Sequence, residues 1–240
     1  MSFVWHTFFF DPIYNGLVFF IDAIPGGDVG LSIIAITVLV KVVLLPLSIK
    51  AAKMQKTMRE LDPKLKELKE KYKDDREALA RATMALYREV KLNPFSGIFL
   101  VFLQIPIIFA LYFSVYSGGG QPLPNINIES LYSFIPTPET VDMIFLGIVD
   151  IASKSWPLAV LAGLTQFIHA QLSLPKPEPR KEGESDMKAD FARSMNINMR
   201  YVLPAVIGFV AYTMSASVAL YFTVSNLMAI AQEFVVRKHR

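Results

Sequence analysis

YVLPAVIGFVAYTMSASVALYFTVSNLMAIAQ, residues 201–232, runs for 32 residues without one charged side chain. A membrane-spanning helix needs about 20 mainly apolar residues, with a range of ~17–25. The run is too long for one such helix and long enough for two short ones. Its small, polar cluster Thr213-Met214-Ser215-Ala216-Ser217 is the place for a tight turn. The competing reading is a single tilted or broken helix, which would leave the C-terminus on the opposite side of the membrane.

Outward from this stretch lie three more apolar runs, at 31–51, 95–116 and 156–174, each long enough for one span. The chain is 53% hydrophobic with a mean hydropathy of +0.40, yet 19% of it is charged, so the charge is segregated between the runs. Thirteen of the 24 Lys and Arg fall in 50–91, six in 176–200 and three in 237–240, and the first 40 residues contain none. The positive-inside rule therefore puts those three segments in the cytoplasm and the N-terminus outside. Only five spans satisfy all three placements.

The expected order is as follows. An outer-side segment (1–30) carries an interfacial helix over 13–24, too short to span, with Trp5 and Phe8, Phe9 and Phe10 as anchors. Span one (31–51), a cytoplasmic helical hairpin (52–92), span two (95–116), an outer loop (117–155) and span three (156–174) come next. A flexible, proline-bearing cytoplasmic loop (175–199), span four (200–214), span five (216–236) and a basic tail (237–240) complete the chain. The fold class is all-α, polytopic. No basic region precedes the first apolar segment, so no cleaved secretory signal is expected. The sequence pI near 9.0 follows from positive-inside topology and is no sign of specific DNA binding.

In the hairpin, Met54, Met58, Leu61, Leu65, Leu68 and Tyr72 recur at alternating steps of four and three. This seam resumes at Leu79, Thr83, Leu86 and Val90 after a break at Asp74-Asp75, which reads as two antiparallel arms. Asp62 and Pro63 mark an N-cap and first helical position, so the first arm is expected to bend there. Thirteen basic and eight acidic residues in 50–91 keep the hairpin soluble, and docking of a partner is favoured over a plain connector.

Lys41 is the most informative single residue. A lysine at the centre of a span costs about 2.5–3.5 kcal/mol on insertion scales, so it calls for water or a partner. Thr37, Lys41 and Ser48 fall at steps of four and seven, a polar stripe on one helical face. Gln104 in span two, Gln166, His169 and Ser173 in span three, and Thr223 and Asn226 in span five add polar positions. Glu233, the nearest acid within a span, falls near the cytoplasmic end, so a lysine facing a hydrated groove is expected. The alternatives are snorkelling for Lys41 and interhelical hydrogen-bonding glue for the amides.

Catalytic readings find little support. Three histidines, His6, His169 and His239, offer no serine-hydrolase arrangement, and no two acids face one another within spans. There is no cysteine and no metal-ligand cluster, and no cofactor is expected.

Four motifs, in order, resemble the YidC/Oxa/Alb membrane protein insertases. KVVLLPL (41–47) resembles the family's first-span motif, a cation before a Pro-Leu pair. MALY (84–87), Asn93-Pro94, Gly97 and QIPIIFALY (104–112) resemble its most distinctive stretch. PLAVLAGLTQ (157–166) resembles the third span, and LYFTVSN (220–226) with Gln232 the last. The chain departs from the pattern at Lys41, where arginine is usual, at Leu100, where proline is common, and at SASV (215–218), which replaces Pro-x-Gly-Leu.

The resemblance implies five spans around a polar groove open to cytosol and lipid, in a compact insertase of the bacterial plasma membrane. It implies nascent membrane proteins as substrates, contact with lipids, the ribosome and a Sec translocon, and no nucleotide hydrolysis. Lys41 would attract acidic residues of a substrate, while Gln104, Gln166 and Asn226 would offer hydrogen bonds. The hairpin, through Met54, Met58, Asp62, Pro63, Leu65, Tyr72, Leu79 and Leu86, would receive substrate or ribosome. A small anion transporter remains open as a second class, though no repeat or paired broken helices support it. An anchor docking a soluble partner remains as a third, and would have no use for a groove.

Overall fold

The computed structural model describes residues 2–73, 75–90, 96–117, 120–174 and 193–238, so the proline-bearing loop expected from 175 lies mostly outside the described residues. In chain order the helices are α1 (Ser2–Trp5), α2 (Asp11–Ala23), α3 (Val29–Val43), α4 (Leu45–Glu60), α5 (Asp62–Lys71), α6 (Arg76–Glu89), α7 (Ser96–Tyr116), α8 (Trp156–Ser173), α9 (Leu203–Met214) and α10 (Ala216–Lys238). Two compact units divide the chain. One comprises Met1–Val42 with Pro106–Arg240, the other Val43–Ile105.

In the first unit, α1 passes through a π-helical turn at His6–Phe10 into α2, so that the chain is helical from Ser2 to Ala23; Pro12 lies just past the π-turn, where Asp11 N–H donates to His6 O. The polar His6, Asp11, Asn15 and Asp22 interrupt the apolar character of this stretch, whose last part is α2. Its buried face is clasped by the 126–135 segment. Phe10, Tyr14 and Val18 pack against Ile126, Leu131 and Ile135. Asn15, 2% exposed, donates to the carbonyl oxygens of Asp11 (2.9 Å) and Ser130 (3.0 Å) and accepts from Tyr132 N–H (2.6 Å). The Tyr14 hydroxyl accepts from Asn127 N–H at 2.9 Å. Burial pushes that phenol above its ordinary range, with the Asn127 hydrogen bond pulling the other way.

Asp28 joins α3 to the loop that precedes α8. One carboxylate oxygen caps α3 by accepting from Leu31 N–H, and the other accepts from Leu146 N–H, both at 2.9 Å. Leu146 lies in the turn of a small antiparallel hairpin, β1 (Ile144–Phe145) and β2 (Val149–Asp150). The all-helical expectation misses this hairpin, because two-residue strands carry too little alternation to register as a sequence pattern. Gly27, at a φ of 68°, follows the end of α2 where an added Cβ would fall 2.1 Å from the Thr140 carbonyl oxygen. Only glycine meets both demands there.

α8 packs against both α9 and α10 through small residues. Ala159, Ala162, Ala211 and Ala219 form one buried cluster, edged by Leu158 and Phe222. Close approach over alanines and glycines is how helices associate where lipid removes the hydrophobic drive between them. α9 is the end of a helix that begins by Arg193 and contains a π-helical turn at Asn198–Val202. The expected start of span four at residue 200 falls inside this helix, whose 22 residues reach ~33 Å.

The turn between α9 and α10 falls at Ser215, within the expected cluster. Ser215, Ala216 and Ser217 are fully buried. Ala216 N–H donates to Ser153 O (2.8 Å), Ser217 N–H donates to Ile151 O (3.1 Å), and the two serine hydroxyls share a 2.7 Å hydrogen bond. The two backbone bonds pin the turn to the 151–153 segment.

Among the described residues, Arg193–Met214 and Ala216–Val235 are each long and apolar enough to cross a membrane, and the pair Val29–Val43 and Leu45–Met54 qualifies if counted as one broken span. Phe102–Tyr116 is a shorter apolar helix. α8 has 18 residues, but Gln166, His169 and Gln171 dilute its apolar character. Length and composition alone thus yield fewer spans than the five expected. Pro46 explains the break in the first. It lacks an N–H and crowds the carbonyl of residue 42, so the helix stops at Val43 and restarts at Leu45.

In the second unit, α5 packs against α6. Leu61 is buried, and the seam residues Met54, Met58, Leu65, Leu68 and Tyr72 are half-buried. Leu79, Thr83 and Leu86 are half-buried on α6. The first arm is divided one residue earlier than expected. Leu61, not Asp62, is the cap of α5, and Asp62 and Pro63 occupy its first turn. Asp75 caps α6 by accepting from Glu77 N–H (3.1 Å) and Ala78 N–H (2.9 Å).

Candidate functional site

Lys41 stands half-buried in the last turn of α3, just before the Pro46 break. One turn earlier, Thr37 is buried and donates its hydroxyl to its own helix, to Ile33 O at 2.6 Å. Ser48, seven residues on from Lys41, lies beyond the interruption at Leu44, in α4 and in the second unit. Gln104 also belongs to the second unit.

On α8, Gln166 and His169 are both half-buried and three residues apart, hence on one face. His169 lies within electrostatic reach of Lys41 of α3 and of Glu233 of α10. The cation, the imidazole and the carboxylate come from three separate helices of the first unit. Reading the sequence left Glu233 at the interface and outside the site. A signal was there, since Thr223, Asn226 and Glu233 follow one another at steps of three and seven, which keeps them near one helical face.

Thr223 and Asn226 are buried between helices. Thr223 donates to Ala219 O at 2.8 Å, and Asn226 Nδ2 reaches Ala162 O at 3.4 Å and Thr165 Oγ1 at 3.3 Å across to α8. This is the arrangement of interhelical glue, the alternative weighed for Asn226. Arg200 is a further residue whose place the sequence conceals. It reads as a flanking cytoplasmic charge, but it is 5% exposed and its guanidinium donates to Gln171 Oε1 and to Leu174 O (3.0 Å). A cation at the C-terminal end of α8 satisfies a terminal carbonyl and complements the helix dipole.

Among the described residues no three His, Cys, Asp or Glu side chains stand together as metal ligands.

The family model described as the 60Kd inner membrane protein matches residues 20–240. The chain is similar to the membrane protein insertase YidC of Fusobacterium nucleatum, 32% identical over 212 residues that cover 88% of this chain and 87% of that protein. It is also similar to the insertases of the same name from Pelobacter propionicus (30% over 234 residues) and Geotalea daltonii (30% over 241 residues). Those alignments cover 98% and 99% of this chain but 39% of each relative's own length.

Proposed function

As the chain belongs to the family described as the 60Kd inner membrane protein, we propose that it is a membrane protein insertase, a multi-pass protein of the bacterial inner membrane that helps other proteins into the bilayer. The broken pair α3 and early α4, then α7, α8, the 193–214 helix and α10 form five spans, with the N-terminus outside and the C-terminus in the cytoplasm. The observation that supports the reading is a half-buried lysine, Lys41, in the last turn of the otherwise apolar α3, in a unit whose α8 carries Gln166 and His169 on one face.

Ionised and amide side chains inside a helical membrane protein face its interior or a water-filled cavity. Here that cavity is a polar groove. A substrate's hydrophilic terminal segment enters it and pairs its acidic residues with Lys41. The apolar distance left to cross is shortened, and burial of the substrate's hydrophobic helix in lipid supplies the driving force without nucleotide hydrolysis. The exposed apolar faces of α8 and α10, with Leu161 and Leu227, border the path into lipid. The α4–α6 hairpin receives the substrate or the ribosome, and a Sec-type translocon is a further contact.

The test is insertion of a single-span substrate with an acidic outer terminus into proteoliposomes, read by protease protection. Wild type and Lys41→Arg are expected to insert, and Lys41→Ala and Lys41→Glu to fail. Equal insertion by all four variants would remove Lys41 from the mechanism. No insertion above empty liposomes by wild type would overturn the insertase reading itself.

A further inference from the structure

The crossing of α8 and α9 leaves an apolar groove that the insertion mechanism does not use. At the crossing, a Cβ added to Gly163 would lie 3.3 Å from the Pro204 carbonyl oxygen and 3.6 Å from Gly208 Cα, so the two backbones are nearly in contact. Beside it opens a cavity of about 380 Å³, bordered by Trp156, Val160, Leu164, Ala205 and Tyr212. That volume is at the low end of small-molecule sites, roughly 300–1,000 Å³. Its walls offer almost no hydrogen-bonding groups, so whatever fills it is apolar there.

The mouth of the groove is different in character. Lys154, exposed in the loop before α8, sets its ammonium 5.9 Å from the centre of the Tyr212 ring. Trp156 is 69% exposed beside it. Tryptophan and tyrosine gather at the headgroup level of a bilayer, and a lysine there adds attraction for anionic lipid. The groove thus presents apolar walls ending in an aromatic pair and a cation.

We propose that this groove holds one acyl chain of an anionic phospholipid, with the phosphate at Lys154. The match is one of charge and apolar character together. A transmembrane helix would fill the apolar part but leave the lysine at the mouth unexplained, whereas a phospholipid uses both. The site depends on the protein being embedded in a bilayer and not on insertase activity.

The experiment is photolabelling of the full chain in proteoliposomes with phosphatidylglycerol or phosphatidylcholine carrying a diazirine in one acyl chain, followed by peptide mapping. Adducts are expected to concentrate around Val160, Leu164 and Ala205, with phosphatidylglycerol preferred. Lys154→Ala should reduce that preference about fivefold, the factor equivalent to ~1 kcal/mol per lysine near a membrane surface. Val160→Trp, at a position already half-exposed, should fill the groove and remove adducts from both lipids. The proposal is overturned if adducts spread evenly over other exposed apolar positions such as Phe102 and Leu227, or if the preference survives Lys154→Ala. It is equally overturned if a photo-probe at position 164 captures a substrate helix in place of lipid. Labelling requires no translocation, so its failure is separable from failure of the insertion assay.

Discussion

Asn15→Ala should loosen the outer segment without unfolding the helices. The side chain makes three hydrogen bonds, two of them to a segment more than a hundred residues away, at Ser130 O and Tyr132 N–H. Removing it leaves that carbonyl and that amide without this partner. A buried polar group so stranded costs ~1–3 kcal/mol, and because Ser130 and Tyr132 keep some exposure the lower end applies to each, for a total of about 2 kcal/mol. At 1.4 kcal/mol per tenfold, this corresponds to roughly a 30-fold rise in the population of the open segment. Amide hydrogen exchange in detergent or nanodiscs is the assay. The Tyr132 amide is expected to exchange about 30-fold faster, while the Ala216 amide, held by Ser153 O in the same unit, is expected to keep its wild-type rate. Tyr14→Phe preserves the ring and removes only the bond to Asn127, so it should speed exchange at Asn127 by about fivefold, the equivalent of ~1 kcal/mol. An unchanged rate at Tyr132 in Asn15→Ala would refute the clasp. So would an equal acceleration at Tyr132 and Ala216, which would mean that the whole unit opens and not the outer segment.

Two further outcomes follow from individual contacts. Arg200→Ala removes charge-assisted bonds to Gln171 and the Leu174 carbonyl, and thermal unfolding in detergent should register a loss of about 1.5–3 kcal/mol, with Arg200→Lys recovering part of it; no change in Tm would mean that the α8 end is held by other groups. Leu146 holds a φ of 53° and is 59% exposed, so Leu146→Gly relieves left-handed strain of ~1–2 kcal/mol and gives back part of it as unfolded-state entropy; a small rise in Tm is expected, and a clear fall would mean that the leucine side chain itself stabilises the hairpin.

Much of the membrane architecture is legible along the chain because bilayer constraints are local and one-dimensional. Apolar runs, their lengths and the lysines and arginines between them are properties of sequence. The turn at Thr213–Ser217 was visible as a small polar cluster in an uncharged run, and the hairpin seam was visible as a heptad-like period. Helix bounds were less so. Pro46 belongs to a family motif, and its backbone effect is to break the first run at Leu44, so that Lys41 and Ser48 lie in different helices. The onset of the fourth apolar helix was hidden because Arg193 and Arg200 look like ordinary loop charges until Arg200 is seen buried against the end of α8.

The sequence by itself carried the resemblance to the family, through specific motifs in order, and determined the helical class and the segregation of positive charge, since these last two depend on composition and periodicity within short windows. Only the tertiary structure decided which helix each polar residue faces. Asn226 and Gln166 are both amides in apolar helices, but one is turned between α10 and α8 and the other shares a face with His169. It likewise brought Glu233 of α10, distant in sequence, into the electrostatic reach of His169, and joined Asn15 to Tyr132 and Asp28 to Leu146. Such pairings depend on how helices rotate and cross, and on the close backbone contacts that alanine and glycine permit, which the linear order of residues does not specify.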